Sequence, residues 1–191
     1  CALKPLVTGF DIATSALSDP GLLLDAMDEK LTPEAFDRIS PWRFAAPLSP
    51  DMAAAREGRA VEYDALIAFC REAMKTKDTL FIEGVGGAMV PLDTRHTVLD
   101  WMAALALPVI VVAGSYLGTI SHTLTALDTL ARAKLTIAAL VINDTPSDIP
   151  IADTIASISR FTPDVPIAAI PRVKYWLDAR EQFAALWRIL A

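Results

Sequence analysis

Short apolar runs rich in Val and Ile recur along the chain, each stopped by Gly, Pro, Asn or Asp. They fall at ALKPLVT (2–8), TLFIEG (79–84), PVIVVAG (108–114), TIAALVIN (136–143) and VPIAAIP (165–171), and each reads as a strand. Helical patterns lie between them. Ser49-Pro50 supplies a cap residue followed by proline at the first helical position. VEYDALIAFCREAMKTK (61–77) carries apolar residues at helical spacing and lysines in its last turn, where the helix dipole favours them. TVLDWMAALAL (97–107), GTISHTLTALDTLARAKL (118–135), IADTIASISRF (151–161) and DAREQFAALWRIL (178–190) complete the set. The proline-dense SPWRFAAPLSP (40–50) reads as one ordered loop. This alternation predicts βαβ units: an α/β fold with a mainly parallel sheet, helices on both faces, and a single domain over 1–191.

Composition agrees. Hydrophobic residues make up 53% and charged residues 21%, which suits strands buried on both faces. The longest apolar run, 101–114, is interrupted by Pro108 and falls short of the roughly 20 residues a membrane span needs. The opening CALKPLVTG lacks the basic start and small-residue cleavage site of a signal peptide. A net charge of −6 without a Lys/Arg run offers a nucleic-acid backbone little. Cys1 and Cys70 fit no metal or redox spacing, and neither His96 nor His122 forms a ligand pair with them. A reducing cytoplasm is the expected location. Trp42, Trp101, Trp176 and Trp187 read as core or interface aromatics.

In open parallel sheets ligands bind beyond the carboxyl ends of the strands, where Thr8, Glu83, Gly114, Asn143 and Pro171 fall. FIEGVGGAMVPL (81–92) is the densest such point. Glu83 is either a strand-end carboxylate turned to solvent or a metal ligand. The glycines after it allow close approach to the backbone, and Asp19, opening a predicted helix in LSDPGLLL, offers a second carboxylate. Two carboxylates with substrate phosphates and water can hold Mg²⁺. GVGG is no dinucleotide fingerprint, since position 89 is Met, and G-x-x-x-x-G-K-[ST] occurs nowhere. Gly118 to Ser121 starts a helix, either plainly capped or holding an anion on its free N–H groups. Lys4, within the first strand, either snorkels to water at a sheet edge or is compensated by an anion. Asn143-Asp144 either caps a turn or reads a base edge.

Taken in order, these segments resemble dethiobiotin synthetase. KPLVTG (4–9), SD (18–19), FAAPLSP (44–50), EGRAVE (57–62), IEGVGGAMVPL (82–92), LPVIVVAGSYLGTISHTLTAL (107–127), VIND (141–144) and IP (170–171) follow one another as in that family. EG-x-GG-x-x-x-PL and LGT-I-x-H-T-L are the specific pieces. The resemblance implies a P-loop NTPase-like fold and an ATP- and Mg²⁺-dependent ligase of biotin biosynthesis. Its substrates would be 7,8-diaminopelargonate, CO₂ or bicarbonate, and ATP. It implies a catalytic role for Lys4, carbamate binding by Thr8, and Mg²⁺ and nucleotide phosphates on Asp19 and Glu83. Gly84, Val85 and Gly86 would lie against the nucleotide or substrate, and Asn143 and Asp144 against adenine. Pro171, Arg172 and Val173 would close over the nucleotide, although Arg172 departs from some relatives. Gly118, Thr119, Ile120 and Ser121 would hold the substrate carboxylate across a homodimer interface. The family begins with a strand, a P-loop and a helix ahead of the lysine segment. The expectation is therefore a further piece of about 30 residues upstream, without which the polypeptide would be inactive.

Three other readings stand beside this one. The nearest is another member of the P-loop superclass, an amidotransferase-type synthase or a partitioning ATPase. The second is a non-catalytic form that binds nucleotide without turning it over. The third is a small α/β domain whose glycines are only structural.

Overall fold

Pro5 has no amide hydrogen to give a neighbouring strand, and the first apolar run breaks there. In the computed structural model, which describes residues 1–190, that run becomes two strands, β1 (Ala2–Leu3) and β2 (Leu6–Thr8). The halves pair differently. β1 lies parallel to β4 (Phe81–Ile82), with Leu3 opposite Ile82. β2 lies parallel to β3 (Trp42–Phe44), with Thr8 opposite Phe44. Strand β3 sits inside the stretch expected to be loop. Its three residues are too few, with an arginine in the middle, to show a pattern of their own; the pairing with β2 makes them a strand.

These strands belong to the first of two units, Cys1–Leu105. Its helices are α1 (Asp19–Ala26), α2 (Pro33–Ile39), α3 (Pro50–Arg56), α4 (Tyr63–Thr76) and α5 (Val98–Leu105). A 3₁₀ turn, Ile12–Leu17, precedes α1. Helix α2 was not anticipated, yet it starts on Thr32-Pro33, with the Thr32 hydroxyl accepting from the Ala35 amide at 3.2 Å. Leu6, Phe44, Leu66, Cys70, Leu92, Val98 and Trp101 are buried together in one core; Leu3, Leu24, Phe36 and Ile39 form another. Trp42 is half-buried, edge-on to Phe69.

The second unit begins at Ala106. Its sheet has the order β5 (Val109–Gly114), β6 (Ile137–Asn143), β7 (Ile167–Ile170), all parallel, as the sequence predicts. Alternate residues of β6 face opposite ways. Leu140 and Ile142 pack on α6 (Thr119–Arg132) and α7 (Ile151–Ser159), while Val141 packs on the side of Ala179 and α8 (Arg180–Leu190). This sheet is therefore covered on both faces. Burying Leu140 or Ile142 fully contributes about 1.5–3 kcal/mol each. Trp187 is half-exposed on α8; Ala191 and the Trp176 side chain lie outside the described residues. Among the described residues no helix is long and apolar enough to cross a membrane.

Burial against the first core pushes the Cys70 thiol up to about 11. Cys1 is exposed. Because the thiolate is the reactive form, a thiol reagent at pH 8 should label Cys1 rapidly and Cys70 only on unfolding. Equal labelling of both cysteines in the native protein would contradict this packing.

Candidate active site

The buried Lys4 side chain lies at the exit of β1, where the parallel register with β4 places Glu83 beside it. The Glu83 amide donates to the Leu3 carbonyl at 2.8 Å, and the Lys4 amide donates to the Ile39 carbonyl at 3.1 Å. The ammonium has three acceptors within reach. These are Glu83 Oε1 at 2.7 Å, the Gly84 carbonyl at 2.7 Å and Asp19 Oδ2 at 2.9 Å. The lysine side chain is 5% exposed, whereas Asp19 and Glu83 are about half exposed, at 52% and 50%. Of the two readings open for Lys4, the structure has the anion-compensated one. The amine does not snorkel to water.

Asp19 reaches this point because α1 starts on it. Ser18 caps the helix, its hydroxyl accepting from the Gly21 amide at 3.3 Å. Gly21 is pressed on the preceding 3₁₀ turn, where a Cβ would lie 2.0 Å from the Ser15 carbonyl oxygen. Thr8, at the end of β2, is half-buried, and its hydroxyl makes no hydrogen bond among the described residues. After Glu83 the backbone turns through Gly86, whose φ of +63° excludes most side chains. Val85 packs on the first core.

The segment leaving GVGG is fastened by groups that no sequence motif flagged. Asp93 accepts from the Arg95 and His96 amides at 2.7 Å each and lies 2.8 Å from His96 Nδ1. The His96 ring stacks on Tyr63 with centroids 3.8 Å apart. Asp100 accepts from the Thr97 amide and hydroxyl, both at 2.7 Å. Burial works to raise the Asp93 carboxyl, but bonds from His96 and Arg95 hold it below the usual range; the Thr97 bonds do the same for Asp100. A depressed carboxylate stabilises the fold above its unfolded pKa and loses that effect as pH falls through its folded value. Protection of the Arg95, His96 and Thr97 amides from hydrogen exchange should thus persist above the ordinary aspartate range and drop below it. Protection independent of pH down to 2 would contradict the assignment.

In the second unit, Asn143 ends β6 and Asp144 follows it. Asn143 is exposed, and the Asp144 amide donates to the Ile170 carbonyl at 2.9 Å. Arg172, just past β7, donates to the Thr145 carbonyl at 2.9 Å. Pro171 is exposed, and Val173 packs beneath the sheet. Asp144 and Arg172 border an open depression of about 410 Å³ lined also by Ser147, Asp148 and Ile149. Gly118 caps α6 with φ +94°, a conformation only glycine adopts readily. The Thr119 hydroxyl is spent on the Gly114 carbonyl at 2.7 Å, and its amide on Tyr116 at 3.1 Å. The Ile120 and Ser121 amides, in the first turn, have no intrahelical acceptor.

Among the described residues no group of three or more His, Cys, Asp and Glu could hold a metal ion. Asp19 and Glu83 still suit a hard cation such as Mg²⁺. They are oxygen donors held by one ammonium and half open to solvent, and Mg²⁺ is commonly bound by one or two carboxylates together with phosphates and water. The unequal exposure of the three partners sets an asymmetry in stability. Lys4→Met leaves carboxylates that water can solvate and should cost about 1 kcal/mol. The double variant Asp19→Asn, Glu83→Gln strands a buried ammonium and should cost about 3 kcal/mol or more. Denaturant unfolding of both variants measures this, and a larger loss for Lys4→Met would refute it.

A family model described as an AAA domain matches residues 24–179. The ATP-dependent dethiobiotin synthetase BioD of Acidiphilium cryptum is 50% identical over 184 residues, covering 93% of this chain and 82% of the relative. The protein of the same name from Methylobacterium nodulans is 46% identical over 161 residues, 81% of this chain and 72% of the relative. That of Phenylobacterium zucineum is 44% identical over 195 residues, 99% of this chain and 83% of the relative. The fold is α/β with parallel strands, of the P-loop NTPase kind, and the chain belongs to the ATP-dependent dethiobiotin synthetase family.

Proposed function

We propose that this chain is an ATP- and Mg²⁺-dependent ligase that closes the ureido ring of dethiobiotin. Its substrates are 7,8-diaminopelargonate and CO₂, and its place is in biotin biosynthesis. One amine takes up CO₂ as a carbamate, ATP phosphorylates the carbamate, and the second amine displaces phosphate to close the ring. The observation that carries the reading is the Lys4 ammonium, buried at a strand end and ringed by Asp19, Glu83 and the Gly84 carbonyl.

A carbamate attacking a triphosphate brings two anions together, and catalysis of phosphoryl transfer is mostly positioning and charge neutralisation. Lys4 arrives already stripped of water, so it can exchange a carboxylate for an incoming anion without first losing its hydration shell. The Thr8 hydroxyl, which makes no hydrogen bond among the described residues, would donate to the carbamate. Asp19 and Glu83 would hold Mg²⁺, which would neutralise charge on the phosphates. Gly84, Val85 and Gly86 present bare backbone beside them.

In the second unit, Asn143 and Asp144 receive the adenine, and Pro171, Arg172 and Val173 flank it. Gly118, Thr119, Ile120 and Ser121 hold the substrate carboxylate through backbone amides, since the Thr119 hydroxyl is already engaged. That contact belongs to a homodimer of a cytoplasmic enzyme.

Phosphate release from Mg-ATP by the purified enzyme should require both diaminopelargonate and bicarbonate. Glu83→Gln should raise the Mg²⁺ concentration for half-maximal velocity about tenfold or more. An unchanged Mg²⁺ titration would remove Glu83 from the metal site. Nucleotide affinity without any phosphate release would replace the ligase with a binding protein.

A further inference from the structure

Ser115 follows β5 directly and is fully buried, at 0% exposure. All its backbone and side-chain polar atoms face the turn that follows β6. The Ser115 amide donates to the Asn143 carbonyl at 3.1 Å and to Thr145 Oγ1 at 3.0 Å. The Thr145 amide donates to Ser115 Oγ at 3.1 Å. The same hydroxyl lies 3.5 Å from Asp144 Oδ1 and 3.4 Å from Thr145 Oγ1, and the Ser147 hydroxyl donates to the Ser115 carbonyl. Room for this reciprocal pair depends on Gly114, where a Cβ would come within 2.6 Å of Thr145 Cγ2. From the other side, Arg172 holds the Thr145 carbonyl and Ile170 the Asp144 amide. The turn carrying Asn143 and Asp144 is thus tied to both flanking strand ends.

We infer that Ser115 and Thr145 are positioning residues that set how tightly and how selectively this turn reads the nucleobase. The inference rests on the reading that Asn143 and Asp144 receive adenine. An asparagine amide offers one acceptor and two donors, which match the amino group and ring nitrogens of adenine. A carboxylate only accepts, and so suits the adjacent N–H donors of guanine. With the Ser115 hydroxyl occupying Asp144, the amide of Asn143 dominates the base contact and adenine is preferred. Released from Ser115, Asp144 becomes available to guanine.

The test is steady-state turnover with ATP and with GTP for Ser115→Ala, Thr145→Val, Thr145→Ser and Asn143→Ala, with thermal melting as a check on folding. Thr145→Val keeps the shape but removes one of the two acceptors of the Ser115 amide, the Asn143 carbonyl remaining. It should raise KM for ATP about fivefold or more and leave kcat and the KM for the diamine within twofold. Ser115→Ala removes the hydroxyl that faces Asp144 and should lower the ATP-over-GTP preference. Thr145→Ser keeps the hydroxyl and should behave as wild type. A merely structural role would lower the melting temperature of Ser115→Ala without changing its nucleotide preference. If Asn143→Ala raises KM for ATP while Thr145→Val matches wild type, the positioning role is wrong and the adenine reading stands. If Asn143→Ala leaves KM for ATP unchanged, the adenine reading fails and this inference fails with it.

Discussion

A buried ammonium must find anions or lose its charge, and in the first unit that requirement organises the chain. Lys4 draws on two segments far apart in sequence: the start of α1 through Asp19, and the exit of β4 through the Glu83 side chain and the Gly84 carbonyl. Each depends on a local device. Ser18 starts the helix on Asp19, Pro5 ends β1 so that Lys4 leaves the ladder, and the pairing of Leu3 with Ile82 sets Glu83 alongside. A slip of one residue in that short ladder would turn Lys4 or Glu83 to the opposite face. Two residues of strand pairing are weak by themselves. The charges therefore help to fix the register that brings them together.

The second unit meets its strand ends with neutral hydrogen bonds. Ser115, Thr145 and Ser147 exchange bonds among hydroxyls, amides and carbonyls, and the adjoining Arg172 is spent on a backbone carbonyl. The difference suits the ligands proposed for each unit. Phosphates and carbamates are recognised by charge, which works at a distance and tolerates rearrangement. A base edge is recognised by donors and acceptors at fixed positions, and a mispositioned amide is as poor as a missing one. A rigid neutral network suits that task, because it holds geometry without adding a field that would act on every nucleotide alike.

The sequence carried the second unit's sheet nearly to the residue. Val109–Gly114, Ile137–Asn143 and Ile167–Ile170 lie within the apolar runs marked for them, because strands covered on both faces must be apolar throughout. The first unit was less legible. Its strands are two or three residues long, and β3 exists only because β2 offers it a ladder. Helix α2 was legible in principle, since Thr32-Pro33 repeats the cap-and-proline start recognised at Ser49-Pro50. At Ser49 itself the cap is incomplete: its hydroxyl bonds Asp51 Oδ1 at 2.5 Å and not a helix amide.

Within the candidate site, the residues that sequence could name are those whose chemistry is unusual for their position. A lysine in an apolar strand, a glutamate at a strand exit and a glycine before a helix each break a local rule, and such breaks concentrate where function does. Ser115, Thr145, Asp93 and His96 break none. A serine after a strand and an aspartate in a turn are ordinary, and their roles arise from partners that only the fold supplies: Thr145 for Ser115, Tyr63 for His96. Sequence therefore finds the groups that would touch a ligand more readily than those that hold such groups still. The second kind has to be read from distances, and at this turn the decisive ones lie between two residues 30 positions apart that carry no charge at all.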